Sequence, residues 1–159
     1  MTELSLLLGL RRVRAVADYQ FGEGVGFRLF PEGIELKFSP KTGRVRHIYL
    51  DGVLLATLRP SDGLLALTVE GGRRLLTILT PPRLRVKVLE GVEEYVSEGR
   101  DVLAKHVSDA DPELRPGEEV LVVDSHGELL AVGKAVLSGL EMLSFKEGVA
   151  VKVRRGIKD

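Results

Sequence analysis

Val86-Lys-Val-Leu-Glu-Gly-Val-Glu-Glu-Tyr-Val-Ser-Glu-Gly-Arg-Asp-Val-Leu-Ala-Lys-His-Val107 is the stretch whose reading decides the fold. It reads as strand, short helix, glycine stop and strand. From Arg85 to Val88, Val86 and Val88 take one side while Arg85 and Lys87 take the other. That period of two, with β-branched residues, predicts a strand. Gly91 breaks it. Val92, Tyr95 and Val96 then fall at i, i+3 and i+4, one face of a short helix. Glu93 and Glu94 sit in its first turn, where carboxylates suit the positive end of the helix dipole. Gly99 is placed as a helix stop. Asp101 to Val107 reads as a second strand.

The remaining C-terminal sequence fits around this unit. Pro112 and Pro116-Gly117 punctuate a loop. Glu119 to Asp124 reads as a buried strand, Ser125-His126-Gly127 as a turn, and Glu128 to Leu137 as another strand. Ser138 to Phe145 predicts a short helix, with Ser138 at the N-cap and Glu141 three residues on. After Gly148, Val149 to Arg154 alternates as a closing strand. Several short strands separated by turns predict a small closed β-barrel with one or two short helices.

Four runs carry a resemblance. They are Glu98-Gly-Arg-Asp-Val-Leu-Ala-Lys-His-Val107, Asp111-Pro-Glu-Leu-Arg-Pro-Gly-Glu-Glu-Val-Leu-Val-Val-Asp124, Leu129-Leu-Ala-Val-Gly-Lys-Ala135 and Gly148-Val-Ala-Val-Lys-Val-Arg154. In this order and spacing they resemble a PUA domain, the module of pseudouridine synthases and archaeosine transglycosylases. The resemblance runs from about Pro82 to Lys158.

The chain has 159 residues, room for one large domain or two small ones. It has no cysteine, so no disulfide framework, thiol nucleophile or thiolate metal site is expected. Leu4 to Leu10 is too short for a signal sequence, with Arg11-Arg12 on the wrong side. No apolar run approaches the roughly 20 residues that span a bilayer. A cytoplasmic protein without membrane contact is expected. Net charge is zero. It is uneven: residues 1–82 hold 11 Lys/Arg against 8 Asp/Glu, and residues 83–159 hold 12 against 15. Any basic patch is therefore local.

Leu4 to Tyr19 predicts an amphipathic helix with Leu6, Leu10, Val13 and Ala17 along one face. Packing on a neighbouring sheet is its plainer role, and packing of some leucines on a partner protein its sharper one. Gly22, Gly24 and Gly26 do not form a dinucleotide fingerprint, because a helix precedes them and the spacing is G-x-G-x-G. They predict a tight loop fixing Phe21 and Phe27 against a core. From Ile34 to Val69 the chain reads as a meander, with Asp51-Gly52 as a hairpin turn. Glu70 to Leu79 is a candidate helix whose start is blurred by Gly71-Gly72. Thr80-Pro-Pro82 marks the domain boundary. Ala17-Asp-Tyr-Gln-Phe-Gly22, Ser39-Pro-Lys-Thr-Gly-Arg-Val-Arg-His47 and Leu55-Ala-Thr-Leu-Arg-Pro-Ser-Asp-Gly63 resemble the segment preceding the PUA domain in archaeosine tRNA-guanine transglycosylase. That family's catalytic barrel, catalytic aspartates and zinc cysteines have no counterpart in the sequence. The resemblance implies tRNA binding linked to tRNA modification, without base exchange by this chain alone.

His47, His106 and His126 are far apart in sequence, and with no cysteine a metal site is not expected. Pairs such as Glu93-Glu94 do not face each other and read as solvated surface. No Ser/His/Asp order or G-x-S-x-G stands out, so no catalytic residue and no cofactor are assigned. Gly99 leaves the backbone open to a phosphate, and Arg100 beside it offers a guanidinium fork. Lys152 and Arg154 share a face of the last strand. By resemblance, the RNA surface falls on Gly99, Arg100, Lys105, His106, Lys152 and Arg154. The plainer reading is that Lys152 and Arg154 solvate an edge strand. With no aromatic stacking platform, recognition of a double-stranded stem fits better than single-strand binding.

The expectation is an α+β chain. A small α+β domain spans 1–81 and a PUA β-barrel spans 82–159. The leading function is a non-catalytic RNA-binding protein acting on tRNA. A catalytic tRNA-modifying subunit or a second copy is a candidate partner. The rival is a protein-binding scaffold or a ribosome- or translation-associated PUA protein.

Overall fold

The computed structural model describes residues 2–159. The chain forms two compact units, one ending at Ile78 and the other running from Leu79 to Asp159.

In the first unit a long helix α1 (Glu3–Phe21) starts at Thr2, whose side chain accepts from the Ser5 N–H. Its buried face is Gly9, Val13, Ala17 and Phe21. The apolar stripe thus lies one step from the expected one: Leu6 is exposed and Leu10 only half-buried. A short helix α2 (Val25–Leu29) follows. Phe21 is buried, but Phe27 is exposed, against the expectation that the glycine loop fixes both in a core. Its ring instead lies under the Arg14 guanidinium, 4.5 Å from the charged carbon.

Four strands then form an antiparallel sheet in chain order: β1 (Ile34–Phe38), β2 (Val45–Leu50), β3 (Val53–Leu58) and β4 (Leu65–Leu67). Asp51 (φ 51) and Gly52 (φ 79) both take the left-handed conformation that a tight hairpin between β2 and β3 demands. Gln20 satisfies the β4 edge. Its amide donates to the Leu65 carbonyl at 3.0 Å and accepts from the Leu65 N–H at 2.7 Å. Helix α3 (Val69–Ile78) keeps Gly71 and Gly72 in its first turn. A Cβ on Gly71 would run into the Leu55 carbonyl, so the glycine lets α3 lie directly on β3.

The second unit is a six-stranded, nearly closed barrel. Its strands are β5 (Arg85–Val88), β6 (Val102–Leu103), β7 (Val107–Ala110), β8 (Glu119–Val123), β9 (Leu129–Ala135) and β10 (Val149–Gly156), in sheet order β6-β10-β9-β8-β5-β7. Only the β5–β8 pair is parallel. The expected single strand from Asp101 to Val107 is broken. A 3-10 turn at Ala104–His106 separates β6 from β7. These two are the edge strands of the sheet, so three residues join its opposite edges and force it to curl on itself. Val86, Val88, Val120, Val122 and Val151 are buried, each contributing about 1.5–3 kcal/mol of burial. Asp111 is buried too, but both carboxylate oxygens are used, one by the Leu84 N–H and one by the Glu113 N–H, each at 2.9 Å.

Two short helices complete the barrel unit, α4 (Glu93–Ser97) and α5 (Gly139–Ser144). α5 carries the expected capping box: Ser138 accepts from the Glu141 N–H, and Glu141 reaches back to the Ser138 N–H. On α4 Val96 is buried, while Tyr95 points outward and is exposed.

Candidate functional site

The candidate residues come together along β10 because the segment after α4 runs antiparallel beside it. The Asp101 carboxylate accepts from the Val153 N–H at 2.9 Å. Val102 pairs with Val151, Leu103 with Val149, and the Ala104 N–H donates to the Gly148 carbonyl. Arg100 therefore stands towards the end of β10, Lys105 and His106 towards its start, and Lys152 between them on the exposed side.

Their surroundings differ. Gly99 has φ +102, so a glycine is needed for the backbone alone. It does not face open space: a Cβ there would sit 2.7 Å from Asp159 Oδ2. An anionic neighbour disfavours a phosphate at this point. The Arg100 guanidinium lies over the Tyr95 ring, 5.4 Å from its centroid, which fixes the direction of its donors. Tyr95 was not among the expected site residues. Arg154 is the largest departure. It is the unpaired residue of a bulge between Val153 and Arg155. It reaches across β9 to Glu119 on β8, with its two terminal nitrogens 3.1 and 2.6 Å from the carboxylate oxygens. Its guanidinium is thus paired with a buried carboxylate, while its side chain keeps 32% exposure.

Lys152 lies directly opposite Lys134 on β9, a residue the sequence reading passed over. Paired residues of an antiparallel ladder share a face, so the two ammonium groups project together. Among the described residues neither has a carboxylate within ion-pair distance. Lys158 is in the opposite situation. Its ammonium meets both oxygens of Glu94 at 2.9 and 2.8 Å. This hydrogen bond, then the Glu94 charge, holds it above the ordinary lysine range.

The outer side of β5 also lines a cleft of about 290 Å³ with Pro81, Pro82, Arg85, Lys87, Asp109 and His126. Arg85 is anchored by the Leu79 and Arg83 carbonyls. Burial pushes its guanidinium down from the usual range. The alternation of Arg85 and Lys87 was the available signal for this wall. Among the described residues no group of three His, Cys, Asp or Glu is placed to hold a metal ion, and no helix is long and apolar enough to cross a membrane.

Residues 11–82 match the patch-forming domain C2 of tRNA-guanine transglycosylase, and residues 84–157 match the PUA domain. The chain is 50% identical over 148 residues to the tRNA-guanine(15) transglycosylase of Pyrococcus abyssi, covering 93% of this chain and 25% of that protein. It is 46% identical over 147 residues to the one of Methanothermobacter thermautotrophicus, covering 92% of this chain and 22% of that protein. The chain thus spans about a quarter of the length of the curated relatives it matches. Among solved structures, a hypothetical protein of Pyrococcus horikoshii superimposes with a TM-score of 0.76 at 25% identity, covering 100% of this chain and 93% of that one. A PUA domain protein from Thermoplasma acidophilum shares the fold, with a TM-score of 0.65 at 22% identity, covering 100% of this chain and 93% of that one. The chain therefore belongs with the PUA-domain proteins, combining a C2 and a PUA domain as the C-terminal part of tRNA-guanine(15) transglycosylase does.

Proposed function

We propose that this chain binds RNA, with tRNA as its target, and serves tRNA modification without carrying out base exchange itself. The observation that carries the reading is the Lys134–Lys152 pair. Two like charges directly opposite each other on a ladder destabilise it; Lys134 has Glu119 of β8 on its other side, so the unbalanced charge is that of Lys152. A polyanion laid along β10 turns that cost into affinity, and Arg100 and Lys105 extend the cationic line at either end. The names of the two relatives given above, both tRNA-guanine(15) transglycosylases, support the choice of RNA. The non-catalytic part rests on the stretch of those relatives that is matched: the two domains found are the C2 and PUA domains. The cytoplasm is the compartment this reading implies.

A second reading, docking of another protein chain, is favoured by α1. Leu4, Leu7 and Leu8 are 63%, 54% and 53% exposed on adjacent turns. A catalytic tRNA-modifying chain or a second copy is the occupant proposed.

The test is a pair of assays on the purified chain. Folded tRNA transcript is titrated by fluorescence anisotropy at low salt, and the same tRNA is incubated with labelled guanine. Saturable binding without label incorporation is expected. No binding sinks the RNA reading, and robust incorporation sinks the non-catalytic one.

A further inference from the structure

We propose that the open edge of β1 pairs with the same strand of a second copy of this chain, joining their two sheets into one; this deepens the docking reading of α1 above, on which it rests, and is independent of RNA binding. β1 and β4 are the two edges of the first sheet, and they are treated differently. The Gln20 amide occupies both the N–H and the carbonyl of Leu65, so β4 offers no free pair there. Among the described residues no strand lies on the far side of β1. The Ser39 N–H turns to β2, donating to the Arg44 carbonyl at 2.7 Å. Backbone groups alternate in direction along a strand, so those of Ile34, Leu36 and Phe38 turn away from β2. Unpaired edge groups are a template for another strand.

α1 leaves room for that strand and a roof above it. A Cβ on Gly9 would meet Leu36, Phe38 and Val45 at 3.0–3.2 Å, so Gly9 lies over the step from β1 to β2. Gln20 lies at the same end of β4. From Gly9 to Gln20 the helix rises about 16 Å, and the strand spacings from β1 to β4 add up to about 14 Å. α1 therefore runs across the strands, and its first two turns, Glu3 to Leu8, reach past β1 by roughly one strand spacing. Leu4, Leu6, Leu7 and Leu8 lie in this overhang, all exposed. Beside it Ile34, Leu36 and Phe38 are only half-buried, whereas Val45 and Ile48 of β2 are buried. The core of the unit is unfinished along this edge.

The sequence of β1 selects the occupant. Glu35 and Lys37 are exposed on the face away from α1. Among the described residues neither has an ion-pair partner. In an antiparallel self-pairing centred on Leu36, Glu35 faces Lys37 of the second copy, Lys37 faces its Glu35, and Ile34 faces its Phe38. Sliding the register by two residues puts Glu35 opposite Glu35 or Lys37 opposite Lys37. Sliding it by one puts apolar residues opposite charged ones. The backbone groups this pairing uses, at Ile34, Leu36 and Phe38, are the ones turned outward. Each α1, at the Phe38 end of its own strand, then covers the Ile34 end of the other. About 13 Å along the strands separates the two helices, more than the roughly 8–10 Å of packed helices, so both fit on one face.

The experiment follows dimerisation of the full chain by sedimentation velocity across a concentration series. It compares the parent, Glu35→Lys, Lys37→Glu, the Glu35→Lys/Lys37→Glu exchange, and Lys41→Glu as a control for the charge change. All three side chains are exposed, so melting temperatures stay close to the parent's. Each single reversal sets like charges opposite each other at two sites and should weaken the dimer roughly tenfold or more. The exchange restores opposite charges and should return to within about threefold of the parent, and Lys41→Glu should behave as the parent does. The chain has no cysteine, so the register can also be read by cross-linking. Opposed positions of a ladder lie about 4.5–5.5 Å apart, within reach of a disulfide. A mixture of the Glu35→Cys and Lys37→Cys proteins should therefore cross-link faster on oxidation than either alone. If the parent is monomeric throughout the series, the proposal fails, while docking of a catalytic chain on α1 is untouched. If the parent dimerises and the reversals change nothing, another surface joins the copies and the proposal is overturned. Single reversals that weaken the dimer without rescue by the exchange overturn the pairing of β1 with β1.

Discussion

Arg154 on β10 reaches over β9 to form a two-pronged ion pair with Glu119 on β8, its closer nitrogen 2.6 Å from the carboxylate. The Glu119 side chain is 2% exposed and that of Arg154 32%. The carboxylate therefore depends on the guanidinium, while the guanidinium can still turn to water. The two halves of the pair should respond unequally to mutation. Arg154→Ala strands a buried charge and should cost up to about 3 kcal/mol, the lower end for a fully buried pair. Glu119→Leu removes the buried charge and should cost less. It also frees Arg154 for RNA, so tRNA affinity should rise. Urea unfolding and tRNA titration of both variants check this. Equal destabilisation by the two, or weaker tRNA binding by folded Glu119→Leu, contradicts the assignment.

Gly99, expected by resemblance to lie on the RNA surface, is also a residue the backbone itself demands. With φ +102 and the Asp159 carboxylate beside it, the residue is required by the backbone turn out of α4. Gly99→Ala should cost about 1–3 kcal/mol in backbone strain. For a unit this size that lowers the melting temperature by at least about 4 °C. Binding by the protein that remains folded should match the parent's. A variant with an unchanged melting temperature and weakened tRNA binding restores the phosphate role.

What the sequence displayed was local chemistry. The Asp51-Gly52 hairpin, the Ser138–Glu141 capping box and the alternation of Val86 with Val88 each lie within a few residues, and each is realised. What it hid was long-range. Glu119 and Arg154 are 35 residues apart, and the bulge that aims Arg154 depends on how β10 registers against β9. Arg12 on α1, Arg44 and Arg46 around the start of β2, and Arg59 just after β3 line one cleft of the first unit, yet no local pattern joins them. Tyr95 and Phe27 read as core aromatics by type, yet each instead lies under an arginine at the surface. The break of 101–107 into β6, a 3-10 turn and β7 follows from barrel closure, which no local propensity encodes.

The exposed leucines of α1 make a prediction about association. Leu4, Leu7 and Leu8 cover adjacent turns, and a contiguous apolar patch of a few hundred Å² marks an interaction surface. The Leu4→Ser/Leu7→Ser/Leu8→Ser variant should keep the parent's melting temperature, since little burial is lost. It should lose self-association in sedimentation, or binding to a catalytic transglycosylase chain in titration. A parent that stays monomeric at high concentration and ignores that chain ends the docking reading.

Lys152 offers the sharpest separation of fold from function. Its ammonium projects beside that of Lys134, and like charges on opposed positions cost roughly 0.2–1 kcal/mol. Lys152→Ala should therefore leave stability unchanged or raise it by a few tenths of a kcal/mol. The same change should weaken tRNA binding by on the order of 1 kcal/mol, as loss of a charge-assisted contact does. The salt slope should fall by about 1. The loss should be similar for tRNAs of different sequence, because a phosphate contact positions without reading bases. A residue that merely solvates the strand would show the stability change without the binding change. Lys134→Ala should weaken tRNA binding likewise, but Lys134 also stands opposite the buried Glu119 of β8, so no gain in stability is expected from it. If Lys152→Ala binds tRNA as the parent does at low salt, with an unaltered slope, the β10 face is not the RNA surface, and protein docking becomes the better account of the barrel.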